Sequence, residues 1–151
     1  TPQGLSRRMP VAWADIEWND GEVIRFVAVH LAHPMEMDWR RPQIERLADF
    51  LAANSDRTMI LAGDFNAGHA GRSMEGLEAQ LAPMRRADDR HPTWPSNRFG
   101  GVPLLALDQL WLSEDLMMLY SHRGPDLGSD HRPVIGEVAK RHWPGNAEEV
   151  Q

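Results

Sequence analysis

The stretch MILAGDFNAG, Met59–Gly68, decides the fold prediction. It begins as an apolar run that is typical of a buried strand, and it ends with an acid and an amide two residues apart, which a core does not favour. Side chains alternate along a strand, so Asp64 and Asn66 would share one face with Ile60 and Ala62. We therefore predict that the acid and the amide point the same way at the end of this strand.

Apolar periodicity predicts further elements on both sides of this strand, which we expect to span Thr58–Phe65. Four other strands and two helices are predicted: strands Pro10–Glu17, Val23–Leu31, Leu104–Leu112 and Pro133–Val138, and helices Arg41–Ala53 and Ser73–Leu81. An Asp-Gly turn would join the first two strands as a hairpin. Strands that alternate with helices predict an α/β fold, and the opening hairpin predicts a mixed sheet.

Length and composition indicate one folded domain. The chain has 151 residues, of which 42% are hydrophobic, including six Trp. We expect the domain to span residues 1–139, followed by a flexible tail over 140–151. No apolar run is long enough to cross a bilayer, and no leader precedes the domain; because the chain begins with Thr1 rather than Met, we expect it to be an excised piece. The lack of Cys excludes disulfide and thiolate chemistry and leaves the compartment undetermined.

The charge balance argues against binding nucleic acid through a broad basic face. The formal net charge is −6, from 22 acidic and 16 basic residues, and Lys140 is the only Lys. A polyanionic substrate would therefore have to be held locally. A divalent cation recruited by acidic residues could do so, because it reverses the sign of the charge at the site.

Polar residues stand where several predicted strands meet loops, the usual position of chemistry on a rigid scaffold. His30 ends one strand, Asp108 lies in another, and the pair Asp130 and His131 precedes the last. Each also has a structural interpretation. A strand-end His is more often a satisfied structural residue, Asp108 could cap a neighbouring backbone group, and the acid–amide pair in Met59–Gly68 could start a turn.

Five motifs in order resemble one family. They are Val29–Leu31 (VHL), Gly63–Asn66 (GDFN), Pro92–Pro95 (PTWP), Leu107–Leu110 (LDQL) and Ser129–Pro133 (SDHRP). Together they resemble the endonuclease/exonuclease/phosphatase superfamily of deoxyribonuclease I-like, metal-dependent phosphoesterases. The resemblance implies a deoxyribonuclease I-like α/β sandwich, of which this chain would supply about one half.

The resemblance also implies a role for each catalytic candidate. His131 would lie beside the scissile phosphate and be oriented by Asp108, an acid–histidine dyad that fixes the tautomer and favours the imidazolium. Asp64 would activate or orient the attacking water, and Asn66 would hold that water or a phosphate oxygen. His30 would be a second phosphate-binding or proton-donating histidine.

By the same resemblance, Asp130 would ligate a divalent ion, together with Asp64 and Asn66. Hard cations prefer carboxylate oxygens, so an Asp-rich site without Cys suits Mg²⁺ or Mn²⁺ better than zinc. The implied substrate is a phosphate ester: a nucleic acid, a phosphoinositide or a phospholipid head group. The acidic balance leads us to favour substrates other than duplex DNA.

One part of the family pattern is missing. The family's N-terminal half normally brings an early Asn and a metal-ligating Glu, and Glu17 lacks the sequence context of that Glu. We therefore expect this chain to be the C-terminal half only, inactive or weakly active alone. An inner sheet face without its partner sheet favours association, so we expect the isolated chain to form a dimer or larger oligomer.

Several interpretations stay open at this point. The parent protein is either a phosphoesterase or a binding or scaffold module that keeps the fold without turnover. Trp94 and Trp111 either stack on a base or sugar or, as we favour, contribute to packing. Arg98 and Arg132 either bind a second phosphate or lie on the surface. A membrane anchor upstream of the chain would be compatible with these residues.

Overall fold

The computed structural model describes residues 11–18, 21–68 and 72–141. The strands are β1 (Val11–Glu17), β2 (Val23–His30), β3 (Met59–Asp64), β4 (Arg85–Arg86), β5 (Asp108–Leu112), β6 (Leu116–Arg123) and β7 (Val134–Lys140). The helices are α1 (Met37–Ala52) and α2 (Arg72–Leu81), with a short 3-10 turn at Phe99–Gly101. Neither α-helix, over the residues described, is long and apolar enough to cross a membrane.

Five of the strands form one mixed sheet in the order β1-β2-β3-β5-β4. Strand β2 runs parallel to β3, while the β1–β2, β3–β5 and β4–β5 pairs are antiparallel. Strands β6 and β7 form a separate antiparallel pair. The predicted α/β fold, the hairpin between the first two strands and the mixed sheet are therefore confirmed, although turn residues 19 and 20 lie outside the described part.

The main core lies between the five-stranded sheet and the two helices. Alternate residues of β2 and β3, such as Val27 and Leu61, are fully buried on this face. The helices contribute buried leucines, among them Leu47, Leu51, Leu77 and Leu81. Trp111 of β5 is fully buried, and the centroid of its ring lies 5.7 Å from that of Phe65. The prediction that Trp111 packs in the interior is thus confirmed.

The opposite face of the sheet, which we call the inner face, is only partly covered. Ile24 and Leu112 are buried together with Leu116 of the β6–β7 pair. Away from that contact, Ala28 is exposed, as are its neighbours on β1 that face the same way. Ile16, opposite Ile24, is 49% exposed. A stretch of apolar sheet surface therefore stays open on this side.

The sequence predictions were wrong at several boundaries. Helix α1 begins at Met37, earlier than predicted, and Pro42 lies inside it. The prediction relied on apolar residues, whereas the first turns of α1 face the interior with Arg40 and Gln43, which are polar but buried. The strand predicted from Leu104 begins only at Asp108, because the preceding chain pairs instead through a single bridge between Leu105 and Trp94.

Strands β4 and β6 were not predicted. Strand β4 has two residues, too few for a periodic signal, and β6 exposes apolar residues such as Leu119 and Tyr120 that blur its alternation. Strand β7 runs to Lys140 rather than to Val138, so the predicted tail begins inside a strand. Residues 142–151 of that tail lie outside the described part.

Gly63 is required by the contact between β3 and β2. Its φ is +143°, and a Cβ built on it would lie 2.0 Å from the backbone oxygen of Val29. We expect Gly63→Ala to destabilise the fold by more than about 3 kcal/mol, since backbone strain and a backbone clash combine. The measurement is urea denaturation followed by circular dichroism.

The matched control is Gly76→Ala in α2, where a Cβ would meet nothing within 4 Å. Removing a helical Gly there should stabilise the fold by roughly 0.5–1 kcal/mol. Equal stability of the two variants would contradict the assigned close approach at Gly63.

Candidate active site

Strands β2 and β3 end, and the neighbouring strand β5 begins, at the same edge of the sheet. Each of the three places a polar side chain there. His30 ends β2 and lies in register with Asp64, which ends β3. Asp108 begins β5 and lies opposite Asp64 on the other side. Directly paired residues on neighbouring strands share a face of the sheet. The backbone pairing therefore sets His30, Asp64 and Asp108 in a row on the inner face.

The second half of the site is a histidine from the loop before β7. His131 Nδ1 lies 2.7 Å from Asp108 Oδ2, and both side chains are about three-quarters buried, at 26% and 22% exposure. With Nδ1–H donating to the carboxylate, Nε2 is left to face a substrate. This is the predicted acid–histidine dyad.

The electrostatics of the dyad favour the imidazolium. Burial lowers the pKa of His131, but the hydrogen bond that its Nδ1–H donates to Asp108 and the negative charges of Asp108, Asp64 and Asp130 outweigh it, so the pKa is raised above its ordinary value. The acidic neighbours thus favour the positively charged form of this ring.

Asp64 is positioned by the turn that follows it. Burial raises the pKa of its carboxyl, the charge of Asp108 raises it further, and the backbone N–H of Asn66 partly opposes them. That N–H donates to Asp64 Oδ1 at 2.7 Å, and Asn66 has a φ of 46°, a conformation that Asn tolerates well. The other carboxylate oxygen, Oδ2, lies 3.6 Å from His30 Nε2, beyond hydrogen-bond distance.

The side chain of Asn66 is partly used by the scaffold. Its Nδ2 donates to the backbone oxygen of Leu31 at 2.9 Å, which ties the loop after β3 to the loop after β2. An amide nitrogen carries two hydrogens, so one N–H is left for a substrate oxygen or a water.

Two buried side chains of α1 hold the same loops. Arg40 is 5% exposed and donates to the backbone oxygens of Ala32 and Phe65 at 2.7 and 2.9 Å. Gln43 Oε1 accepts the N–H of Ala32 at 2.7 Å. Burial lowers the pKa of Arg40, and the charge of Asp64 partly offsets this. Sequence reasoning missed both residues, because polar residues on a helix usually face solvent.

A buried threonine connects the two members of the dyad. Thr93 Oγ1 accepts the N–H of Asp108 at 3.4 Å, while its backbone oxygen accepts the N–H of Arg132, next to His131, at 2.9 Å. Ser96 Oγ then donates to the backbone oxygen of Ser129 at 2.5 Å. The PTWP motif was noted in the sequence without a role, and these hydrogen bonds fix the loop that carries His131, whose catalytic role stays a prediction.

A family model for the endonuclease/exonuclease/phosphatase family matches residues 3–131 of the chain. The match spans most of the sequence and includes every residue of the site described above. The chain belongs to the endonuclease/exonuclease/phosphatase family. Members of this family are typically metal-dependent hydrolases. No match was found among curated proteins.

Solved structures of the family share the fold. An endonuclease/exonuclease/phosphatase from Bacteroides vulgatus aligns with a TM-score of 0.72 at 16% identity, covering 87% of this chain and 55% of that one. A mannosyl-6-phosphatase from Bacteroides thetaiotaomicron aligns at 0.64 and 15%, covering 85% and 56%. The human nocturnin catalytic domain, with a bound sulfate anion, aligns at 0.65 and 15%, covering 87% and 53%.

The fold is therefore deoxyribonuclease I-like, as the resemblance implied. The chain spans about half the length of the solved structures it matches. The whole domain's activity and substrate consequently depend on more than the residues described.

The described residues do not by themselves form the metal site that the family implies. Asp64, Asn66 and Asp130 supply oxygens of the kind that Mg²⁺ or Mn²⁺ prefers. Within residues 11–18, 21–68 and 72–141, however, no three acidic, His or Cys side chains come together in a group that could hold a metal ion. The assignment of these three residues as metal ligands stays a prediction.

The remaining residues singled out in the sequence differ in exposure and in their contacts. Asp130 is exposed, and its backbone oxygen accepts the N–H of Ser96 at 2.8 Å. Trp94 is half-buried, and its ring centroid lies 6.4 Å from that of His131, so it lines the rim of the dyad. Arg132 forms an ion pair with Asp126 at 3.0 Å, and Arg98 is exposed.

The raised pKa of His131 can be tested directly in metal-free protein. Asp108→Asn should lower this pKa, because burial still opposes the charge while the ion pair is lost. Since the folded-state pKa is raised, the stabilisation from charged His131 is complete below its unfolded value and is lost as the pH rises through the folded value. The measurement is NMR titration of the His131 ring protons with chelator present.

The matched control is Glu114→Gln, at a surface carboxylate that pairs with Arg85. It should leave the His131 titration unchanged. An unchanged titration in Asp108→Asn would contradict the hydrogen-bonded dyad.

Proposed function

We propose that the protein carrying this chain hydrolyses phosphate esters by attack of water. The observation that supports this most is the convergence of a 2.7 Å Asp108–His131 pair with Asp64 on one edge of the inner face. Perturbed pKa values clustered with an oriented acid–base pair are typical of active sites.

The geometry suggests a division of labour. Protonated His131 would place its Nε2–H against a phosphate oxygen and offset the charge that develops there. Asp64, whose raised pKa makes it a better base, would accept a proton from the attacking water through Oδ2, the oxygen that Asn66 does not hold. The water oxygen would bond to phosphorus as the bond to the leaving oxygen breaks. His30 would return a proton to that oxygen.

A divalent ion belongs to this proposal. Asp130, Asp64 and Asn66 would contribute oxygens to Mg²⁺ or Mn²⁺, and ligands from outside the chain would complete the site. The ion would neutralise charge on the phosphate.

The proposed substrate class is broad: it comprises phosphate esters without a selected organic group. A phosphatase and nocturnin are among the structures that this chain resembles, which supports phosphoester chemistry without selecting a substrate. The net charge of −6 favours a small or locally held substrate over duplex DNA.

The open inner face gives a reason for association. We propose that a segment outside this chain covers it in the whole protein, and that a second copy covers it in the isolated chain. Light scattering coupled to size-exclusion chromatography should give a mass of at least twice 17.1 kDa. A monodisperse monomer would contradict the proposal of self-association.

Hydrolysis of bis(p-nitrophenyl) phosphate and p-nitrophenyl phosphate with Mg²⁺ or Mn²⁺ tests the proposed function. The isolated chain should show little or no activity, whereas a protein that also carries the preceding segment should be active. In that longer protein Asp108→Asn should lower kcat by about a hundredfold or more, because His131 loses the carboxylate that orients its ring and favours the charge with which it would stabilise the phosphate oxygen. Glu114→Gln is the surface control and should leave kcat unchanged.

A binding or scaffold module is the alternative function. An intact fold with no hydrolysis of either ester by the longer protein would favour it over the enzyme. Isothermal titration with Mg²⁺ and Mn²⁺ would then show whether the acidic site still binds a metal without turnover.

A further inference from the structure

The two members of the dyad belong to different sheets. Asp108 begins β5 of the five-stranded sheet, whereas His131 lies in the loop between β6 and β7, which form the separate pair. Their 2.7 Å contact therefore depends on how the two sheets are placed relative to each other. Leu116 and Leu112 pack between the sheets at the far end of β5. Apolar packing has no preferred direction, so directional contacts are needed to fix the placement at the dyad end.

The segment 88–93, which we call the bridging segment, is hydrogen-bonded to both sheets. The fully buried carboxylate of Asp88 accepts the N–H of Leu110 in β5 at 3.1 Å. The next residue bonds to the other sheet. Asp89 Oδ2 accepts the hydroxyl hydrogen of Ser121 in β6 at 2.9 Å, and the Asp89 N–H donates to Ser121 Oγ at 3.0 Å. Two consecutive acids thus hold β5 and β6 next to each other.

The bridging segment ends at the dyad. The backbone oxygen of Pro92 accepts a second hydrogen bond from β6, donated by Arg123 Nη1 at 3.3 Å. Thr93 follows, and its Oγ1 accepts the N–H of Asp108, while its backbone oxygen accepts the N–H of Arg132. The contact between the sheets is therefore connected to both sides of the dyad through a few residues of one segment.

The hydroxyl of Ser121 is fully used by this contact. Ser121, Asp89 and His91 have the residue types of a nucleophilic triad, but a carboxylate only accepts, so the single hydroxyl hydrogen goes to Asp89. Oγ then accepts the Asp89 N–H and the Nε2–H of His91, whose nitrogen lies 3.1 Å away. Both lone pairs are occupied, and the residue is 3% exposed. The hydroxyl is thus a structural junction and not a nucleophile.

We propose that Ser121 and Asp89 are positioning residues, which place His131 against Asp108 by fixing the two sheets relative to each other at the dyad end. They act through the bridging segment, since Thr93 transmits their placement to both sides of the dyad. The inference rests on the proposed function wherever its effect is measured as a catalytic rate.

The first test is kinetic and uses the longer protein, at a temperature where circular dichroism shows every variant to be folded. Ser121→Ala and Asp89→Ala should each lower kcat for bis(p-nitrophenyl) phosphate about tenfold or more, because misplacing reacting groups by about 1 Å can cost roughly a hundredfold. KM should stay within about twofold, since the dyad would act on charge that develops in the transition state. Asp89→Asn should restore most of the rate, because its amide oxygen still accepts the Ser121 hydroxyl hydrogen.

Ser113→Ala is the matched control. Ser113 Oγ also accepts a backbone N–H, that of Met59 at 2.9 Å, and also donates to a carboxylate, that of Asp115 at 2.6 Å. Met59 begins β3, at the end of the strand away from Asp64, so this hydroxyl lies far from the dyad. The control variant should lower the free energy of unfolding as Ser121→Ala does, and should leave kcat within about twofold.

A second measurement needs no substrate. The NMR chemical shift of His131 Nδ1 reports the hydrogen bond that this nitrogen donates to Asp108. Compared at one pH in the metal-free longer protein, this shift should change in Ser121→Ala and stay the same in Ser113→Ala. If no ester is hydrolysed, the proposed function fails, and the Nδ1 shift alone decides the positioning role.

Two results would overturn the positioning role. One is an unchanged His131 Nδ1 shift in Ser121→Ala. The other is an equal loss of kcat in Ser113→Ala and Ser121→Ala, which would make general stability the cause.

Discussion

The pairing of β3 with β2 on one side and β5 on the other is the constraint on which the site depends. The register sets Asp64 against His30 and against Asp108 at once, so three side chains from distant parts of the sequence meet without help from side-chain packing. The pairing requires β3 to come so close to β2 that no side chain fits at Gly63. Gly63 has no side chain that could react, yet the arrangement of His30, Asp64 and Asp108 depends on it.

The same pairing brings two carboxylates next to each other, which is costly unless positive charge offsets it. Asp108 and the surrounding acids raise the pKa of His131, which favours its positively charged form. Buried Arg40 interacts with Asp64 from the helix side while it holds two loop carbonyls. Burial and the charge of Asp108 in turn keep the pKa of Asp64 above its ordinary value.

The two faces of the five-stranded sheet are covered to different degrees. The face toward α1 and α2 is a closed core with fully buried residues such as Val27 and Leu61. The inner face carries the candidate site at one end; the β6–β7 pair covers part of it around Ile24 and Leu112, while Ala28 and Ile16 stay exposed. The candidate site lies at the margin of this exposed surface, and the chain covers about half the length of the structures it matches.

The sequence by itself determined the fold class and a strand over the apolar run that leads to Asp64, and it singled out residues that the backbone pairing brings into one row, whose catalytic role stays a prediction. These are local properties: apolar periodicity marks a buried strand, and Asp or His in an otherwise apolar run marks a site. The paired motifs also identified the His131 dyad before its geometry was known. Boundaries were less accurate, because polar residues that face inward, as at the start of α1, look like solvent-facing ones.

Only the tertiary structure decided which scaffold residues hold the site together. Thr93, Arg40 and Gln43 act through hydrogen bonds to backbone groups far away in the sequence. Backbone groups are the same in almost every residue type, so the sequence does not show which of them takes part in such a bond. A cleft beside His30 likewise exists because a loop and a helix start are brought together around it. Periodicity reports which side of an element is buried. It does not report what lies opposite, so these hydrogen-bond partners and the cleft became visible only once the chain was folded. The open inner face, in contrast, was already expected from the resemblance to one half of the family's sandwich.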